Sequence, residues 1–257
     1  MVAADHDLTG VRVLVTGGTS GLGLAMVRAL AGAGATVAFT GRTADGVKEV
    51  ASGIPGAAGF VADVRDQGSV TDVVDAVWNT FGGIDMLVNN AGLGMKTVNP
   101  DFMTRPQGFW EVPVDGFRAV IDTNLTGYFL VAREITPRML AGGRGRIVNI
   151  SMNHSTMNRK GFIPYGPSRA GAEALSRVMA ADLADTGVRV NMLLPGAATR
   201  TGMLPSGTEL PASLQLLDPD VMAAPVVWLA SEEAADVHDE RIVATEFEAW
   251  RAERLNV

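Results

Sequence analysis

The chain has 257 residues, 47% of them hydrophobic and 19% charged, a composition typical of a globular domain, and we expect residues 1–257 to form a single domain. Its 21 basic and 28 acidic residues give a net charge of −7, which disfavours nucleic acid and anionic membranes as general partners. The absence of cysteine excludes disulfides, thiolate metal sites and cysteine nucleophiles, and the three histidines are too widely spaced to predict a metal centre.

The first element is a strand followed by a glycine-rich turn. Residues 11–15 are an apolar, β-branched run that predicts a strand, and a helical pattern of apolar residues begins at Leu22. Glycines let the backbone adopt positive φ and approach a ligand closely, while the following helix offers unpaired N–H groups and a positive dipole end. The turn therefore suits a pyrophosphate, although its spacing differs from the general G-x-G-x-x-G fingerprint and a plain strand-to-helix turn is the alternative. Its glycines are Gly17, Gly18, Gly21 and Gly23.

The second predicted strand, residues 35–40, leads into Gly41 and Arg42. A dinucleotide-binding fold recognises the adenosine ribose just past this strand, where a carboxylate would hydrogen-bond the 2′-hydroxyl. Here a cation stands without a carboxylate, and a guanidinium pairs well with a 2′-phosphate. We therefore expect NADP(H) rather than NAD(H), the alternative being a solvated loop arginine.

Strands and helices continue to alternate along the first half of the chain, with a helix at 44–53, a strand at 57–62, a helix at 67–81 and a strand at 84–89. This alternation predicts an α/β fold, a doubly wound parallel sheet of the Rossmann type with about seven strands and helices on both faces. Two short motifs end the third and fourth strands, where open α/β sheets bind ligands. They are Asp63-Val64, expected near an adenine edge, and Asn89-Asn90-Ala91-Gly92.

A long irregular stretch, residues 93–114, separates the two halves, and its apolar side chains predict either a pocket wall or a subunit contact. A helical pattern at 115–141 follows, with Asn124 on or near its apolar side, where it must find polar partners. We expect a helix at 164–186 to place Tyr165 and Arg169 on one face. The remaining predicted elements are strands at 146–151, 188–194 and 241–245, a loop at 152–163, a flexible segment at 197–218, a helix at 219–230 and a helical tail.

In this order, the motifs resemble those of the short-chain dehydrogenase/reductase family over almost the whole chain. TGGTSGLG looks like the family's glycine motif, Asp63-Val64 like its adenine contact, and NNAG like its sheet-stabilising cofactor motif. Asn124 and Tyr165 fall where the family has its catalytic asparagine and tyrosine. The resemblance implies that the cofactor is held by Gly17, Thr19, Ser20, Gly21, Leu22, Gly23, Arg42, Asp63, Val64, Asn90, Ala91, Gly92, Tyr165, Arg169, Pro195, Gly196 and Thr201.

Two positions depart from the family pattern. Arg169 stands where the family has lysine, and Met152 stands where its catalytic serine or threonine usually lies. An arginine supplies charge and a ribose contact but cannot act as a proton relay, and methionine offers no strong hydrogen bond. We expect Ser151 or Ser155 to supply the missing hydroxyl, with Asn153 and His154 as further candidates.

The resemblance implies an NADP(H)-dependent oxidoreductase that interconverts a ketone and a secondary alcohol, with Tyr165 as general acid and Arg169 as its cation. One alternative is a cofactor-binding homologue with lost or altered redox activity. Another is a lyase similar to halohydrin dehalogenases, which use arginine at the lysine position. The intact glycine turn at Gly21 argues against this alternative.

The expected partners are a small carbonyl or alcohol substrate and further copies of the chain. The resemblance implies a homodimer or homotetramer built on the two long helices, 115–141 and 164–186. The sequence has neither a recognisable secretory leader nor an apolar run of membrane-spanning length, so we expect a cytoplasmic protein.

Overall fold

The computed structural model describes residues 6–204 and 215–255. Its centre is a seven-stranded sheet in which every pairing is parallel, with the order β3-β2-β1-β4-β5-β6-β7. This confirms the predicted doubly wound sheet. The strands are β1 (Arg12–Val15), β2 (Thr36–Gly41), β3 (Ala57–Val61), β4 (Met86–Asn89), β5 (Gly145–Ile150), β6 (Val188–Leu194) and β7 (Arg241–Val243).

Nine α-helices connect the strands in the described part of the chain, together with short 3₁₀ turns. No helix among the residues described is long and apolar enough to cross a membrane. The helices are α1 (Gly21–Gly32), α2 (Ala44–Gly53), α3 (Gln67–Phe81), α4 (Val114–Ile121), α5 (Gly127–Ala141), α6 (His154–Met157), α7 (Tyr165–Asp182), α8 (Ala223–Ala230) and α9 (Phe247–Leu255).

The sheet separates two apolar layers, and β1 contributes to both. Val13 and Val15 belong to the layer packed under α1 and α8, whereas Leu14 points into the layer formed with α3, α5 and α7. Successive side chains of a strand point to opposite faces, so a strand covered on both sides is apolar throughout. This explains why residues 13–15 are a continuous apolar run.

The direction in which strands are added reverses between β1 and β4. The chain builds β2 and β3 on one side of β1, then returns to place β4 on the other side. Connections diverge at such a switch point and leave a crevice at the carboxyl ends of the strands. The glycine turn after β1 and the NNAG motif after β4 both lie there.

The segment predicted as one helix at 115–141 is helical throughout but not uniform. It comprises α4, a π-helical turn at Asp122–Thr126, and α5. The wide turn contains Asn124, and π turns are frequent at functional sites. The apolar pattern gave no sign of it, because one inserted residue hardly changes the helical periodicity.

The remaining differences from the predicted elements are local. Short 3₁₀ turns at Met95–Thr97 and Phe109–Glu111 interrupt the stretch predicted as irregular, and α6 interrupts the loop at 152–163. Helix α7 ends at Asp182, before residue 186. Part of the predicted flexible segment, residues 205–214, lies outside the described residues.

We predict a large loss of stability for substitution of one tryptophan and a small change for another. Trp228 is fully buried and packs edge-on against Phe247 and Trp250, whereas Trp110 is 77% exposed. Trp228→Ala should lower the free energy of unfolding by about 3–5 kcal/mol, because it leaves a core cavity. Trp110→Ala should change it by about 0.5 kcal/mol or less. Urea unfolding measures both, and similar losses would contradict the packing described.

Candidate active site

Hydrogen bonds between the ends of β1 and β4 hold the glycine turn in place. The Thr16 hydroxyl accepts the backbone N–H groups of Asn90 and Ala91, both at 3.0 Å. In return the Asn90 side chain donates to the carbonyl oxygens of Thr16 and Gly17, at 2.9 and 3.0 Å. The two motifs that the sequence placed at strand ends are therefore one rigid unit.

The turn itself requires glycine at several positions. Gly17 and Gly21 have φ of 67° and 55°, in the left-handed region that favours glycine. A Cβ on Gly23 would collide with the Gly17 carbonyl oxygen and with the Asn90 side chain. The backbone is thus exposed along the cleft at this point, as a closely bound phosphate requires.

The N-terminus of α1 is open to an anion. Its N-cap residue, Ser20, makes no side-chain capping hydrogen bond, and no acidic residue lies in the first turn. The first N–H groups of a helix lack intrahelical partners and carry the positive end of the dipole. Together with the bare glycine turn, they fit a pyrophosphate group.

Arg42, beyond the end of β2, is exposed on the wall of the same cleft. It makes no side-chain hydrogen bond or ion pair with any described residue. Nearby, Asp63 is already paired, because the Arg65 guanidinium lies 2.5 Å from its carboxylate and holds the pKa of Asp63 below its usual range. The more distant Arg42 acts in the same direction. Arg42 is therefore available to an anionic ligand.

Asn124 supports the cleft from behind and does not line it. Its side chain is fully buried and exchanges two hydrogen bonds with the backbone of Leu93, at 2.8 and 3.0 Å. It also donates to the Ser168 hydroxyl at 3.0 Å. The amide thus joins the π turn to the chain after β4 and to α7, with its polar atoms satisfied as burial requires.

Tyr165 and Arg169 lie one turn apart on α7 and both reach the cleft. The Tyr165 hydroxyl lies 3.9 Å from the Met203 sulfur, and its ring stands 5.4 Å from the Arg169 guanidinium. Arg169 is only 3% exposed, and its outer nitrogen packs against Gly92, where a Cβ would lie 2.5 Å away. Glycine at position 92 therefore leaves room for the guanidinium.

Tyr128 is the partner of Arg169, and the sequence analysis did not identify it. One terminal nitrogen of Arg169 donates to the Tyr128 hydroxyl at 2.6 Å and to the Ile150 carbonyl at 2.8 Å. Burial raises the pKa of Tyr128 and outweighs the opposing influence of Arg169, so Tyr128 remains a neutral phenol. Only its position seven residues before Ile135 on one helix face could have suggested that it points inward.

Arg169 stays cationic in this setting. Burial would lower its pKa, but its interactions with the Tyr128 and Tyr165 hydroxyls outweigh burial and raise the pKa above that of free arginine. Its Nε atom is buried without a hydrogen-bond partner in the described chain. The site thus contains a fixed positive charge with unused donor capacity.

Of the two serines predicted to supply the missing hydroxyl, one is already hydrogen-bonded and the other lies outside the cleft wall. Ser151 lines the cleft, but its hydroxyl donates to Glu173 at 2.5 Å; Ser155 is exposed and outside the cleft wall. Asn153 donates to the Gly196 carbonyl, and His154 pairs with Glu173. Thr156 was not identified from the sequence; it lines the cleft, and its hydroxyl is unpartnered in the described structure.

Glu173 organises the floor of the cleft next to Met152. It accepts hydrogen bonds from Ser151, His154 and Arg241, and Arg241 also donates to the Met152 carbonyl at 2.8 Å. Burial raises the pKa of Glu173, but these hydrogen bonds outweigh it and hold the pKa below the usual glutamate range. The network fixes the end of β5 to α7 and β7.

These residues meet in one cleft of about 650 Å³. Every residue predicted from the family resemblance to hold the cofactor lies on its wall, whereas Asn124 and Ser155 do not. Trp110 and Met157 are also absent from the wall, whereas the apolar residues Phe102, Phe162, Met203 and Leu204 lie on it.

We predict a pH-dependent stability contribution from Glu173. A carboxyl group whose pKa is depressed by folding stabilises the protein above its unfolded-state pKa, and this contribution is lost as the pH falls through the folded-state value. Glu173→Gln should therefore lower stability by about 1–3 kcal/mol near pH 7, with the difference shrinking below the ordinary value of 4.5. Urea unfolding of both proteins near pH 7 and below pH 4.5 measures this difference in stability.

Glu232→Gln is the matched control. Glu232 pairs with Arg146 at 3.6 Å but is 86% exposed, so its loss should cost about 0.5 kcal/mol or less. Equal effects of the two substitutions, or a Glu173→Gln difference that persists in acid, would contradict the assigned network.

Several known proteins are similar to this chain in sequence. The short chain dehydrogenase family matches residues 11–209. D-threitol dehydrogenase of Mycolicibacterium smegmatis is 34% identical over 93% of each chain. A 3-oxoacyl-(acyl-carrier-protein) reductase of Vibrio cholerae is 30% identical over 92% of this chain and 96% of its own.

A solved structure gives the same result for the fold. The crystal structure of 3-ketoacyl-(acyl-carrier-protein) reductase from Brucella melitensis, complexed with NADH, superposes with a TM-score of 0.80. It is 26% identical to this chain and covers 92% of it and 97% of its own length. On the strength of the matched residues and the shared fold, the chain belongs to the short-chain dehydrogenase family.

Proposed function

We propose that this oxidoreductase is NADP(H)-dependent and interconverts a ketone and a secondary alcohol. The observation that carries the proposal is the position of Tyr165 and the buried Arg169 charge on the wall of the cleft that also contains the glycine turn. A proton donor and a fixed cation thus line the same cleft as the glycine turn, which suits a nucleotide. That is the arrangement that carbonyl reduction needs.

The chain's own residues fit a dinucleotide along the whole cleft. The glycine turn and the start of α1 receive the pyrophosphate, Arg42 pairs with a 2′-phosphate, and Asp63-Val64 border the adenine. Gly196, with φ of 101°, lets the backbone after β6 turn along the nicotinamide end. When bound, the nicotinamide group supplies or accepts the hydride.

Tyr165 handles the proton. In reduction the carbonyl π bond breaks, the carbonyl carbon receives the hydride, and the oxygen takes the Tyr165 proton; oxidation reverses these transfers. Arg169 stabilises the resulting phenolate as a fixed charge. Because arginine does not release a proton, Tyr165 must be reprotonated from the open cleft and not through residue 169.

The substrate carbonyl also needs a hydrogen-bond donor, which Met152 cannot provide. Ser151 lines the cleft, but its hydroxyl already donates a hydrogen bond to Glu173, and Ser155 lies outside the cleft wall. Thr156 supports this role best, because its hydroxyl lines the cleft and is unpartnered in the described structure. We therefore assign polarisation of the carbonyl to Thr156.

The same experiments would also reveal either of the two alternative functions. A dehalogenase-like lyase would expel halide from a halohydrin without added nucleotide, but the intact glycine turn favours nucleotide binding. A binding protein without redox activity would bind NADP⁺ tightly and oxidise no NADPH with any carbonyl compound.

Calorimetric titration with NADP⁺ and with NAD⁺ tests the cofactor. Arg42→Ala should weaken NADP⁺ binding about 10- to 100-fold, because a charge-assisted contact to the 2′-phosphate is lost. NAD⁺ binding serves as the internal control and should change little. Equal effects on the two nucleotides would contradict the role of Arg42. NADPH oxidation over a panel of ketones then tests the redox activity.

Thr156→Val tests the assigned hydroxyl with little change of shape. We expect kcat to fall about 100-fold, as for the loss of one preorganised donor to a developing oxyanion, while nucleotide affinity is retained. Ser151→Ala is the comparison and should reduce kcat much less, since its hydroxyl is bound to Glu173. A larger loss with Ser151→Ala would reverse the assignment.

A further inference from the structure

We propose that the substrate carries an anionic group beside an apolar portion, and that Arg159 binds the anion. This inference rests on the proposed function, because it identifies the class of ketone or alcohol that the same cleft accepts.

Arg159 is held at the substrate end of the cleft by an aromatic platform. It is the second residue after α6 and lines the cleft wall, with its guanidinium 4.9 Å over the Phe162 ring. Phe162 is itself buried and packs edge-on against Phe102 at 5.8 Å. An arginine stacked on an aromatic face keeps its donors free for an oxyanion.

This platform belongs to the same small cluster as Tyr165. Met95, Val98, Phe102 and Phe162 form a separate buried cluster, and the Tyr165 ring packs on it. The charged head of Arg159 and the hydroxyl of Tyr165 are therefore positioned by one packed unit. A substrate held at its anionic end would be oriented with respect to the proton donor.

The charges on the cleft wall point to an anion. In a protein of net charge −7, the described residues of the wall include four cations, Arg42, Lys96, Arg159 and Arg169, and one carboxylate, Asp63. Asp63 and Arg42 lie at the adenosine end. At the substrate end, Lys96 donates to the Gly202 carbonyl at 3.1 Å, whereas Arg159 has no ion pair or side-chain hydrogen bond with the described residues.

The surrounding wall accounts for the apolar portion. Around Arg159 the cleft is lined by phenylalanine, leucine and flexible methionine side chains, which adapt to apolar chains or rings of varied shape. A cation on such a wall selects an amphipathic anion over a neutral polyol. These side chains are Met95, Phe102, Met103, Met152, Phe162, Met203 and Leu204.

The test compares matched ketones that differ in charge. We would measure NADPH-dependent reduction of 5-oxohexanoate, its neutral methyl ester and 4-oxopentyl phosphate. The wild type should prefer the oxo acid over the ester in kcat/KM by about 10-fold or more, and Arg159→Gln should reduce this ratio to about one. Whichever of the two anions gives the higher kcat/KM identifies a carboxylate or a phosphate as the group recognised.

Lys160→Gln is the control, because Lys160 is the adjacent exposed cation and does not line the cleft. It removes the same formal charge and should leave the acid-to-ester ratio unchanged. An equal fall of the ratio in both variants would reduce the effect to general electrostatic attraction and overturn the assignment. A wild type that reduces the ester as well as the acid would also overturn it, with the proposed function intact.

Direct titration of 5-oxohexanoate into the NADP⁺-saturated protein gives a readout that needs no turnover. Binding that weakens about 10-fold in Arg159→Gln but not in Lys160→Gln supports the anion site even if no ketone is reduced, in which case the proposed function fails alone. Unchanged binding in Arg159→Gln contradicts the site whatever the activity.

Discussion

The hydrogen bonds between Thr16 and Asn90 are the constraint on which the rest of the cleft depends. They join the ends of β1 and β4 at the point where the strand order reverses, so the crevice left by the diverging chain cannot close or widen freely. Gly17 and Gly23 then bring bare backbone to its surface. The cofactor site is therefore a property of the sheet's connectivity, and the helices around it adjust to that frame.

Replacement of the family's lysine by Arg169 is accommodated by a set of residues. A guanidinium is larger than an ammonium group, and it fits here because position 92 is glycine and because Tyr128 and the Ile150 carbonyl accept its hydrogen bonds. Its planar face lies beside two tyrosine rings. This packing gives a charge that is better fixed than that of a lysine but that cannot move a proton. Under the proposed function, proton exchange would then rely on Tyr165 and on solvent.

The sequence predicted the fold correctly, and the residues that it proposed for the cofactor all lie on one cleft, because both depend on local patterns. Apolar runs mark strands covered on both faces, and glycines mark close backbone approach, so residues such as Gly21 and Asn90 could be placed by motif. The catalytic end could not be predicted to the same degree. Ser151 is adjacent to the family position, but only the fold shows that Glu173, 22 residues later, accepts a hydrogen bond from its hydroxyl. Thr156 and Tyr128 depend likewise on a short helix and a π turn that leave no periodic signature.

The network around Glu173 is the reason why we assign the hydroxyl role to a residue beyond the end of β5. Arg241 brings a positive charge from β7 to that point, Glu173 compensates it, and Ser151 completes the carboxylate's hydrogen bonds. A serine that donates to a half-buried ion pair is a structural group, and its removal would leave the charged pair with fewer hydrogen bonds. Met152 adds only apolar surface to the cleft. We therefore assign the polar functions of the substrate end to the segment that follows it. There α6 contributes Thr156 to the cleft wall, and Arg159 follows two residues after the helix; we propose the first for the reacting oxygen and the second for an anion on the same substrate.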